Sequence, residues 1–158
     1  MGLNDLKLQY YKVLLLSIKR SSRSDVYINA KPILVLSFFN LIENGIVKEN
    51  KFFFDENLNQ TYIDLSKFHE QEKNITPCVY PFYHIRNDGF INLTFENHST
   101  KLPHTPSAKY LRDNVKYASF DNALWDLLQD VETRNVLKDT IVNHFFTLRT
   151  YKSNNNAY

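Results

Sequence analysis

Residues 33–42 read Ile-Leu-Val-Leu-Ser-Phe-Phe-Asn-Leu-Ile, a nearly unbroken apolar run set between Lys31-Pro32 and Asn44-Gly45. Such a run belongs in a bilayer or in a protein core. A bilayer crossing takes about 20 apolar residues, whereas this run is far shorter and is broken by Ser37 and Asn40. It therefore predicts a mostly buried helix. Proline is tolerated in its first turn, and glycine readily takes the left-handed conformation that closes it. At 158 residues, 43% of them hydrophobic, the chain suits one ordinary domain with a real core and argues against disorder of the whole.

Around that helix the pattern is mixed. Leu6, Tyr10, Val13, Leu14 and Ile18 recur at helical spacing, predicting a first helix over about residues 4–19 with Asn4 or Asp5 as its cap. Residues 20–29 mix Ser, Arg, Asp and Asn without period and read as a flexible basic loop containing Arg20 and Arg23. Residues 46–54 read as a short extended segment. Asp55 then caps a helix carrying Leu58, Tyr62, Leu65 and Phe68. Thr76-Pro77 breaks the chain, and residues 79–85 and 90–95 around Asn87-Asp88-Gly89 predict a β-hairpin. Thr105-Pro106, Ser119 and Asp130 are candidate helix starts, and Val136, Leu137, Ile141 and Phe145 form the last apolar stripe. The expected fold is α+β: a mainly helical single domain over residues 1–150 with a small antiparallel β-hairpin or sheet, and a tail or linker over 151–158.

Composition narrows the chemistry. The lone Cys78 cannot form an internal disulfide, and no leader pattern opens the chain, so a cytoplasmic protein without membrane contact is expected. The tripeptides beginning at Asn92 and Asn97 match a glycosylation pattern by chance on this reading. The five histidines share no short ligand spacing, which gives no metal site. No nucleophile elbow, phosphate-cradling glycine loop or zinc-protease motif is present, and neither catalysis nor a cofactor is expected. A carboxylate pair such as Asp55 with Glu56, or Asp126 with Asp130, would do acid/base work only if the fold converged it. A net charge of +2 does not announce a nucleic-acid binder, so any such case must come from local sites.

The densest stretch is Tyr80-Pro81-Phe82-Tyr83-His84-Ile85-Arg86-Asn87-Asp88-Gly89-Phe90. As a strand, it would send Tyr80, Phe82 and His84 to one face and Pro81, Tyr83 and Ile85 to the other. On the residues alone this is either a core hairpin with satisfied tyrosine hydroxyls or a ligand surface.

Taken together, Lys31-Pro32-Ile33-Leu34-Val35-Leu36, Tyr80-Pro81-Phe82-Tyr83-His84-Ile85 with Asp88-Gly89-Phe90, Tyr117-Ala118-Ser119-Phe120-Asp121 and His144-Phe145-Phe146 carry a resemblance. In order and spacing, over roughly residues 5–147, the chain resembles the N-terminal domain of HNH restriction endonucleases, a group that includes sulfur-binding domains for phosphorothioated DNA. The resemblance implies a DNA-binding module of a restriction or defence system, with any nuclease domain on another segment or partner. It implies that Tyr80 and Pro81 wall a sulfur pocket, that Phe82 belongs to the core and that Lys31 meets a phosphate. Tyr83, His84, Arg86, Lys101, Lys109 and Arg112 are the further DNA candidates. Two positions depart from the family pattern. His84 stands where a small residue is favoured, so its imidazole would either narrow the cavity or donate to a phosphate, and Ala30 stands where a polar group is common.

The partner so implied is double-stranded, modified DNA. A competing reading uses the aromatic hairpin for dimerisation or protein docking. A third makes the chain a small nuclease or hydrolase with a site built from His84, Asp88 and nearby carboxylates.

Overall fold

A computed structural model describes residues 2–70, 75–97 and 101–146. The apolar run at 33–42 forms the middle of α2 (Ala30–Glu43), in which eleven of fourteen residues are buried. Its one buried hydroxyl, on Ser37, donates to the Ile33 carbonyl at 2.8 Å and is thereby satisfied inside the core. Around α2 stand α3 (Glu56–Glu70), α4 (Val79–His84) and α7 (Val131–Phe145). α1 (Leu3–Leu16), in turn, packs on α6 (Asn122–Leu128) and α7. The remaining face is closed by an antiparallel pair, β3 (Ile91–Phe95) with β4 (Val115–Phe120), joined through α5 (Ala108–Asn114). Phe52 bridges to Ala118 at the edge of that pair, and behind it Phe120 meets Phe38 and Phe52 edge to face, as Trp125 meets Phe52, with Phe38 and Phe52 tilted against each other. The result is the expected mainly helical α+β domain.

Several elements differ from the sequence reading. Residues 79–85 are not a strand. They form α4 and run into a 3-10 turn (Ile85–Asp88), so the hairpin with residues 90–95 does not exist. Pro81 explains the outcome, because it cannot donate to a sheet ladder but costs little in the first turn of a helix. The true partner of β3 is β4, which holds Ser119; α6 starts instead after Asp121, and α5 starts after Ser107, whose hydroxyl accepts the Tyr110 N–H. The apolar stripe at helical spacing in α1 lies largely on its solvent face. Leu6, Tyr10 and Val13 are exposed, while Tyr11 and Leu15 are buried. The 20–29 loop contains a small hairpin, β1 (Ser22–Arg23) with β2 (Val26–Tyr27), around a left-handed Ser24-Asp25 turn. Residues 46–54 carry only the Phe52 bridge. The tail assigned to 151–158 lies outside the described residues.

Candidate nucleic-acid interface

The first turn of α2 fixes the site. Asn29 occupies the N-cap position, yet its side chain makes no cap hydrogen bond, and no acidic residue stands in the first turn. Its Oδ1 is used elsewhere, accepting from Arg20 Nη1 at 2.8 Å. The Ala30 and Lys31 N–H groups are left without a hydrogen-bond partner among the described residues, and the positive end of the helix dipole is unopposed.

α4 lies across this end of α2. Helical spacing, not strand alternation, sorts its side chains. Val79, Phe82 and Tyr83 turn into the core, whereas Tyr80, Pro81 and His84 line an open groove of about 680 Å³. Tyr80 is 39% exposed. Four cations, Lys19, Arg20, Arg23 and Lys31, share the groove with this apolar corner, and among the described residues no Asp or Glu lines it.

Each cation is held differently. The Lys31 ammonium meets the Asp88 carboxylate at 2.8 Å, and the other oxygen of that carboxylate accepts the Lys19 backbone N–H at 2.7 Å. Asp88 is almost wholly covered, so the pair ties the exit of α1, the start of α2 and the turn after α4 to one point. The Arg20 guanidinium lies 4.0 Å over the Tyr27 ring and 4.8 Å over the Phe145 ring, which fixes its plane. Arg23 sits on β1, exposed, and makes no ion pair among the described residues. Burial pulls the His84 pKa below its ordinary value, and the nearby Lys31, Arg86 and His104 push it the same way. The imidazole is therefore neutral at neutral pH and able to donate one hydrogen bond.

The other nominated residues are placed apart from the groove. Tyr83 is sealed in the core, where its hydroxyl donates to the Pro103 carbonyl at 2.6 Å, so it has no face for DNA. Arg86 stacks 4.6 Å over the outer face of the Tyr83 ring. Lys101 is exposed but does not line the groove, and Lys109 pairs with Asp113 one helical turn away. Arg112 lines a different depression, behind residues 75–79, together with Asp55 and Glu56. Asp55 is itself an N-cap, accepting the Leu58 N–H at 3.0 Å. With Asp88 engaged by two donors, His84 and Asp88 do not form a free acid/base pair. Among the described residues no three His, Cys, Asp or Glu side chains gather as metal ligands, and no helix is long and apolar enough to cross a membrane.

Lys19, Arg20 and Arg23 are the groove residues that sequence reasoning left out of its site. The signal available was their clustering next to Lys31; what it lacked was any indication that residues 19–29 fold back beside residues 80–84.

Among solved structures, this architecture resembles the sulfur-binding domain of SprMcrA complexed with phosphorothioated DNA, with a TM-score of 0.67 over 91% of this chain and 88% of that one. Sequence identity is 15%, so the likeness is one of fold. No model of a known protein family matches the sequence, and no curated protein does.

Proposed function

We propose that the α2–α4 groove holds the backbone of phosphorothioated double-stranded DNA, and that the chain is a reading module of a restriction or defence system without chemistry of its own. The observation that carries this is the joining, in one groove, of an apolar corner and a cationic rim on a fold shared with a sulfur-binding domain. A sulfur that replaces a phosphate oxygen is larger, softer and less strongly hydrated. It loses less on leaving water for the Tyr80-Pro81 wall than an oxygen would. Arg20, Arg23, Lys31 and the uncapped α2 terminus supply the attraction for phosphate that any DNA gains, modified or not. His84 donates to the modified phosphate or to its neighbour. Arg86, Lys101, Lys109 and Arg112 are at most peripheral to the bound strand.

The test is a fluorescence-anisotropy titration of two duplexes that differ by one sulfur atom, with Tyr80→Ala run in parallel. Tighter binding of the sulfur duplex, lost in the variant, is the expected result. Equal affinity for the two duplexes removes the sulfur reading. A duplex methylated at cytosine or adenine, run alongside, shows whether a different mark is read.

A further inference from the structure

Next to the groove, on the other side of the β1–β2 hairpin, lies a second recess of about 440 Å³. The two share Arg23, Ile28, Ala30, Ile75 and Thr76 as a common wall, so they are one continuous surface divided by a low ridge. The recess differs in chemistry from the groove. Ile33, Ile75 and Val26 give it apolar sides, Glu70 and Arg23 bring one charge of each sign, and two of its hydroxyls are spent internally: Tyr62 donates to the Thr76 carbonyl and Ser66 to the Tyr62 carbonyl, both at 2.7 Å.

Asn29 stands out among the lining residues. It is only 7% exposed, and its Oδ1 takes the Arg20 hydrogen bond. Because a guanidinium can only donate, that bond fixes which end of the amide is oxygen. The remaining end, Nδ2, donates to nothing among the described residues. The residue is otherwise well covered, and this one donor borders an open cavity with largely apolar walls.

We propose that this recess receives an unstacked nucleobase of the same DNA whose backbone lies in the groove. The inference rests on the proposed DNA-binding role. A base is a flat body with apolar faces and both donors and acceptors on its edge, which suits apolar walls set with the Asn29 amide and the Glu70 carboxylate. The shared wall would put base and phosphate side by side, and Arg23, which lines both cavities, would meet the phosphate that links them. Unstacking costs a few kcal/mol, which the filled recess offsets.

The experiment uses the full chain and phosphorothioate duplexes carrying 2-aminopurine, in turn, at each position flanking the sulfur. 2-Aminopurine brightens when it leaves the stack. At protein concentrations where anisotropy reports saturation, one position should brighten severalfold. Val26→Trp, at an exposed position that lines the recess, should abolish the rise while the duplex stays bound. Asn29→Asp keeps the acceptor for Arg20 and removes the donor, and should reduce the rise as well. Saturation without brightening at any position overturns the proposal and leaves the DNA-binding reading standing. Brightening that survives both substitutions also overturns it, since the base then goes elsewhere. Absence of DNA binding removes both readings.

Discussion

Asp88 is the side chain on which the groove depends most. It is buried, carries both the Lys31 ammonium and the Lys19 amide, and joins three segments distant in sequence. Removing one partner of a buried ion pair leaves the other desolvated and unmatched. Asp88→Ala should therefore cost about 3 kcal/mol or more in urea denaturation and should weaken DNA binding through the loosened Lys31. A stability change within experimental error would show that the pair is incidental.

His84 gives a pH signature with a definite sign. In the free protein its pKa lies below the ordinary histidine value. An anionic phosphate beside it favours the charged form and raises that value, so binding takes up a proton. Affinity should then increase as pH falls from roughly 7 toward roughly 5.5, and the dependence should vanish in His84→Ala. An identical pH profile in that variant would rule out the phosphate contact. Folding runs the other way. His69, shifted down by burial and by Lys138, and His84 both bind a proton more readily in the unfolded chain. Stability is thus full above about pH 6.5 and declines as pH drops through the depressed folded values, which denaturation at a series of pH values would show.

At the level of elements, Gly89 ends the turn after α4 with φ of +89° and leads into β3. No atom lies within 4 Å of the place its Cβ would take, so a substitution there meets backbone strain alone. Gly89→Ala should cost about 1 kcal/mol by thermal or urea unfolding, and Gly89→Asn should recover part of it because asparagine tolerates the left-handed region. Equal stability of all three would show that the turn relaxes freely.

The same region shows what the residues could and could not reveal. α2, α3 and α7 were legible because a strong apolar pattern coincides with local end signals. Gly45 takes the left-handed conformation after α2, while Asp55 and Asp130 accept backbone N–H groups at the starts of α3 and α7. α4 was not, because six residues cannot separate a period of 2 from one of 3.6 when most of them are apolar. The β1–β2 hairpin turns without glycine, through Ser24 and Asp25, and gave no local mark. The pairing of β3 with β4 is set by packing against Phe52 and Phe38, which nothing local to either strand encodes. At the site, Tyr80, Pro81, His84 and Lys31 could be nominated from the chain and its resemblance. Their meeting with Arg20 and Arg23 needed the fold.

For the whole molecule, the modest net charge of +2 means that, on the proposed function, attraction for DNA must be local. Arg23→Gln should lower the salt dependence of binding by about 0.9 in the slope of log affinity against log salt. It should do so equally on the sulfur and the unmodified duplex. A loss confined to the sulfur duplex would make Arg23 a reader of the mark and not a backbone contact.

The floor of the groove is the opening turn of α2, the helix against which α3, α4 and α7 are assembled. A binding floor that is also the keel of the domain cannot breathe independently of it. Amide hydrogens of Ser37, Phe38 and Phe39 should exchange only as fast as the domain unfolds as a whole. On the proposed function, protein and DNA would then meet as a stiff template and a pliant strand, with the cost of fitting one to the other falling on the bending and twisting of the duplex.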